Sequence, residues 1–299
     1  MRKAAFSIIL FLNWSPVAQC QALSGVIEVA LDNHRHIVLH RILGQERLPF
    51  DSVRIDKKGR FRFTPIEFPL GYYRLGLADD QVDIILNPAE SKVVLNFTEQ
   101  PLQAGITVRE SHENMRLWEY KRASRDAQDK IKVIAAQRNA VDPRDIESLL
   151  RLAHEEEQVN IKLQATLERL VTQDSASYFA KVVRTDQRLM RALEQGPQAI
   201  RDAMDWGDAS LTRCSVYAKA IMAILQSATP AAANTLAAAS DSILEWSSSD
   251  TASWAFARWQ LVELFATYGP EEVVQHIVDQ YVTGPKVLSP PDSRLLALV

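Results

Sequence analysis

The chain has 299 residues, 47% hydrophobic and 24% charged, with a formal net charge of −3. That length suits about two globular domains. The near-neutral balance, with Lys and Arg spread along the chain and no basic block interleaved with aromatics, gives no electrostatic case for nucleic acid.

Residues 1–22 read as a secretory signal. Arg2 and Lys3 form a positive start, residues 4–12 are a short apolar run, and small residues follow at Ala18 and Ala22. The run falls short of the roughly 20 apolar residues a membrane-spanning helix needs. Cys20 stands where a bacterial lipoprotein would carry its lipid, which makes it a candidate for lipidation and a membrane anchor. Gln19 replaces the small residue expected before such a Cys, so cleavage after Ala22 fits better. Either route exports the protein, to the periplasm or to an outer-membrane association. Loss of Arg2 and Lys3 takes the net charge from −3 to −5, because residues 1–22 contain no acid.

Residues 23–109 predict an antiparallel β-sandwich. Short alternating stretches at 26–31, 36–43, 48–55, 60–64, 71–77, 82–86, 92–97 and 106–108 are separated by Gly, Pro, Asn and Asp. The clearest is 51–63. There Val53 and Ile55 alternate with polar residues, Asp56-Lys-Lys-Gly59 supplies a turn, and Phe61 and Phe63 share one face opposite Arg60 and Arg62. It reads as a hairpin.

At Ser111 the pattern changes to helix. Ser111-His-Glu-Asn114 offers an N-cap and a first-turn acid. A long polar helix follows to about residue 139, and Asp142-Pro143 predicts a second start, with Asp142 as N-cap. Residues 110–172 therefore form a helical hairpin. Shorter, more apolar helices are expected near 177–184, 187–193, 197–204, 211–227, 231–247, 251–268 and 270–282. Trp254, Phe256, Trp259 and Phe265 read as their core. Residues 284–299, rich in Pro, read as a linker with no obvious element to pack against. The fold class is thus α+β and multidomain, a sandwich followed by an all-α domain over 110–283.

No catalytic constellation is evident, and no cofactor is implied. His34, His36 and His40 fall on one strand face, but no supporting carboxylate or Cys beyond Asp32 joins them, so an exposed polar face is preferred over a metal site. His154-Glu-Glu-Glu157 lacks the second His of a zinc motif, since Gln158 stands there. The cysteines are Cys20 and Cys214 alone, so no Cys-x-x-Cys exists. Cys214 precedes an expected helix and follows Arg213, which makes it a candidate reactive thiol. A small buried hydrophobe is the alternative.

Gly25-Val-Ile27, Asp51-Ser-Val53, Gly59-Arg-Phe-Arg-Phe63, Tyr73-Arg-Leu75, Ile84-Ile-Leu86 and Ser111-His-Glu-Asn114 carry a resemblance. This part resembles the N-terminal domain of unknown function that precedes thioredoxin-like modules in envelope proteins of Bacteroidota. Residues 205–211, Val216-Tyr217, Ile221 and residues 273–281 look like the helical middle domain of the same proteins. In that family a TlpA- or ResA-like thioredoxin domain follows, and its Cys-x-x-Cys performs thiol–disulfide exchange. This sequence lacks that domain, so the resemblance transfers no catalytic residue. It implies a non-catalytic binding or scaffold protein of the cell envelope. The alternative is an accessory or split component of a redox system whose thioredoxin-like partner brings the Cys-x-x-Cys. The partner is then that protein or another envelope protein.

Overall fold

Alternation of apolar and polar side chains places eight strands of the described residues in two stacked sheets. The computed structural model describes residues 21–29, 35–64 and 68–298. Residues 1–20 of the expected signal, Cys20 among them, and His34 lie outside the described residues, whereas Ala22 is in a strand. The strands are β1 (Ala22–Ile27), β2 (His36–Leu43), β3 (Glu46–Arg54), β4 (Arg60–Arg62), β5 (Gly71–Leu77), β6 (Asp80–Leu86), β7 (Lys92–Phe97) and β8 (Ile106–Glu110). One sheet runs β4-β1-β7-β8 and the other β3-β2-β5-β6. All pairings are antiparallel except β1 with β7, which is parallel. Register aligns the inward sets, with Leu23 beside Val93, Gly25 beside Leu95 and Ile27 beside Phe97. Ile37, Leu39, Tyr73, Leu75, Val82 and Ile84 of the other sheet complete the buried core.

The 51–63 stretch is not a hairpin. β3 pairs with β2, β4 pairs with β1, and the Asp56–Gly59 turn carries the chain from one sheet to the other. The turn itself forms as its residues dictate. Asp56 accepts from the Lys58 and Arg60 amides at 2.8 and 2.9 Å. Gly59 takes φ +75°, and a Cβ there would lie 2.1 Å from the Ile27 carbonyl oxygen. The sheet change lets Phe61 and Phe63 enter the core from the far side, with Arg60 and Arg62 left exposed. The first strand also starts earlier than its pattern suggested, at Ala22, whose amide donates to Ser91 O at 3.1 Å.

The helices are α1 (Leu102–Gly105), α2 (His112–Ala140), α3 (Ile146–Gln173), α4 (Tyr178–Ala192), α5 (Pro197–Ala203), α6 (Ser215–Ser227), α7 (Ala233–Ser247), α8 (Thr251–Tyr268), α9 (Glu271–Ile277) and α10 (Ser293–Leu296). A 3-10 turn (Ala209–Arg213) precedes α6, and a π turn (Val278–Val282) follows α9. The two short helices expected at 177–184 and 187–193 are one helix, α4. α3 begins later than Asp142-Pro143 suggested. Its N-cap is Asp145, which accepts from Ser148 N at 3.1 Å, while Asp142 closes a local turn with Arg144 N at 2.9 Å. Trp254, Phe256, Trp259 and Phe265 are buried, as their spacing indicated.

The C-terminal segment finds an element to pack against. Arg258 of α8 is buried and donates to the carbonyls of Tyr281, Ser289 and Pro290 at 2.9, 2.9 and 3.2 Å. Its guanidinium stacks on Trp254, 4.5 Å from the ring centroid. Leu295 is buried, and Arg294 lies over Trp259. The sequence hid this because the donor stands some thirty residues upstream of its acceptors.

Candidate functional site

The junction between sandwich and helices is built on Ser111-His-Glu-Asn114. Ser111 caps α2 by accepting from Asn114 N at 3.1 Å, as the sequence indicated. It does so at φ +142°, a region L residues seldom adopt, and its hydroxyl donates to Glu90 at 2.7 Å. Glu113 and Asn114 act on other elements. The buried Glu113 carboxylate leaves its own helix and accepts from the amides of Tyr178 and Phe179 at 2.7 and 2.9 Å and from Asn87 Nδ2 at 2.8 Å. It thereby satisfies two of the donors that open α4, where a negative charge also meets the positive helix end.

Asn114 acts as a surrogate strand. Its amide donates to Ile85 O at 2.7 Å and accepts from Ile85 N at 2.8 Å. One helical turn on, Trp118 Nε1 donates to Asp83 O at 3.1 Å. The spacings match: four helical residues rise about 6 Å, and two strand residues advance about 6.8 Å. β6 is an edge strand, so α2 covers backbone groups that would otherwise invite another chain. Asp83 adds Arg74 at 2.7 Å and Lys121 at 2.5 Å. Desolvation pushes its carboxyl up, but these two cations outweigh burial and hold it below the usual carboxylate range.

Cys214 lies in this junction. It is the N-cap of α6, so its position at a helix end agrees with its sequence setting. Its thiol is 4% exposed and contacts Leu211 O at 3.1 Å. Burial pushes the thiol up to about 11, although the Val216 amide and the Tyr178 hydroxyl pull the other way. Tyr72 and Tyr178, with ring centroids 5.9 Å apart, are raised by the same desolvation. The environment therefore protects protons rather than activating a nucleophile.

His36 and His40 share a face of β2, about 13 Å apart along the strand. His40 sits opposite Arg74, whose guanidinium opposes a bound cation. Among the described residues, no group of three or more His, Cys, Asp or Glu is placed to hold a metal. His154 is exposed on α3, where Arg151 pairs with Glu155 at 3.0 Å.

The long helical hairpin carries a concave surface of its own. α2 and α3 contain 29 and 28 residues, about 43 Å each. From Asp126 to Thr166 every hydrogen bond and ion pair described stays within the hairpin, including Arg138 with Glu156 at 3.2 Å. Beyond Leu117 and Trp118 at its base, the seam is thin, with Ala127, Ile134, Leu152, Leu167 and Leu170 as its buried apolar residues. Val133, Ile146, Leu150 and Ile161 remain half or more exposed. A groove of about 800 Å³ runs between the helices, floored by Ala127, Ile134, Val159 and Leu163. Charged Asp126, Lys130, Glu155 and Lys162 also line it. The sequence shows a polar hairpin; the small residues Ala123 and Ala127 line the furrow between its helices.

The fold and junction define a two-part α+β protein, with a strand sandwich packed against a helical body through β2, β5 and the β6 edge. No protein-family model, curated protein or solved structure matches the chain.

Proposed function

We propose that this is an exported, non-catalytic binding or scaffold protein of the bacterial cell envelope, with the α2–α3 hairpin as its binding arm. The observation that carries the reading is the arm itself: a long projection with a continuous groove and exposed apolar side chains, held by a buried polar junction. Apolar floors with polar rims are the usual composition of protein-binding surfaces. Export is supported by the charged, apolar, small-residue order of residues 1–22. A redox role would draw its reactive thiols from a thioredoxin-like partner, because Cys214 is buried and its thiol raised.

The test is site-specific photocrosslinking in the native cell. A photoreactive phenylalanine analogue replaces Val133 in the groove or, as control, exposed Arg62 on β4. The arm position should yield a discrete adduct with one envelope protein, and the sandwich position should not. Equal labelling at both positions, or none at Val133, contradicts the assignment.

A further inference from the structure

α4 carries a second, chemically different surface. Lys181, Arg184, Arg188 and Arg191 recur at helical spacing and line one side of a concavity of about 500 Å³. Ser175, Ala176, Thr185 and Gln187 complete it, and no carboxylate lines it. The stripe spans about 15 Å from Lys181 to Arg191. The chain as a whole is acidic, so this concentration of positive charge is local.

Three carboxylates around the stripe are already paired, one of them with the stripe's own Lys181, and the exposed Glu194 stands three residues beyond Arg191. Asp208 pairs with Lys181, Asp186 with Lys219 at 2.7 Å, and Asp174 with Arg116 at 3.2 Å. Among the described residues, Arg184, Arg188 and Arg191 have no acidic partner. Arg184 is half-buried and Arg188 exposed, their guanidiniums steadied by Ser175 O and Thr185 Oγ1 respectively. An ordinary solvated helix face spaces acids among its bases, as α3 does with Arg151 and Glu155. α4 instead aligns guanidiniums, whose planar forks match phosphate oxygens. Exposed Met190 and Leu193 lie on the other side of α4, so the stripe lacks the apolar flank a membrane-surface helix would need.

We propose that this concavity binds a small phosphate-bearing polyanion, with Arg184, Arg188 and Arg191 as its ligands. The site is separate from the hairpin groove and does not depend on the envelope placement.

Inorganic pyrophosphate titrated calorimetrically into the full chain is the direct probe. Saturable binding is expected, weakened about tenfold or more in Arg188→Gln/Arg191→Gln protein and weakened again by added salt. Neither side chain ties α4 to another element, so the double variant keeps its fold, which circular dichroism checks. Arg151→Gln, in the arm, should bind as the parent does. Sedimentation with phosphatidylglycerol vesicles separates the two sources of phosphate, and no binding is expected there. Absence of saturable pyrophosphate binding, equal binding by the double variant, or vesicle binding without pyrophosphate binding would overturn the proposal.

Discussion

Glu113 and Asn114 show how one turn of helix can serve three elements. Their neighbour Ser111 does the local job of capping α2, and that job was legible because capping acts over three residues. The partners of Glu113 lie 65 and 66 residues away, and those of Asn114 lie 29 residues back. No periodicity encodes such distances, so the sequence showed Glu113 as a first-turn acid of its own helix. Cys214 shows the same limit. Its helix-end setting was readable, but burial, which decides its chemistry, came from β5 and α4 folding over it. Its thiol, ordinarily near 9, is raised to about 11 in the folded protein. A group raised in this way contributes stability that is fully present below its unfolded pKa and is lost as pH rises through the folded one. Unfolding free energy should therefore hold up to about pH 9 and decline toward pH 11, with Tyr72 and Tyr178 adding to the loss from about pH 10 upward. Thiol-specific labelling at pH 8 should modify Cys214 slowly when native and rapidly in urea. Rapid native labelling would contradict the buried placement.

Strand positions were legible because a half-buried strand must alternate, and the long helices because their polar faces still left a buried seam. Ends and connections were not. Asp142-Pro143 carries a strong start signal, yet the chain spends it on a turn and caps α3 with Asp145. Asp145→Ala should cost about 1 kcal/mol of unfolding free energy, and Asp142→Ala clearly less. Urea unfolding of the two variants checks the order, and the reverse order would return the helix start to Asp142. The sheet-switching corner at Asp56–Gly59 was hidden for a related reason. A turn fixes local direction, whereas the choice between continuing a sheet and crossing to the other depends on which core accepts Phe61 and Phe63. The Pro-rich tail read as a linker because its anchor, Arg258, belongs to α8.

The sandwich and the helices together behave as one body with one projecting arm. Buried side chains from both parts form a single contiguous cluster, from Leu23 and Phe97 through Trp118 and Tyr178 to Trp254 and Leu295. The polar junction lies inside it. Division of the chain at residue 110 therefore marks a change of secondary structure, while the packing continues across it. Separating the parts would uncover the β6 edge, leave Ile85 without its Asn114 partner and strip the buried Glu113 carboxylate of its Asn87 donor.

Equilibrium urea unfolding, read by two probes, tests this most directly. The described tryptophans all lie in the helical part, so their fluorescence reports it, while hydrogen exchange of peptides from β5 to β7 reports the sandwich. The two midpoints should coincide, and Glu113→Ala should lower both together, at a cost of about 3 kcal/mol. A sandwich that keeps its protection after the fluorescence transition is complete, or a variant that shifts only one probe, would contradict the account.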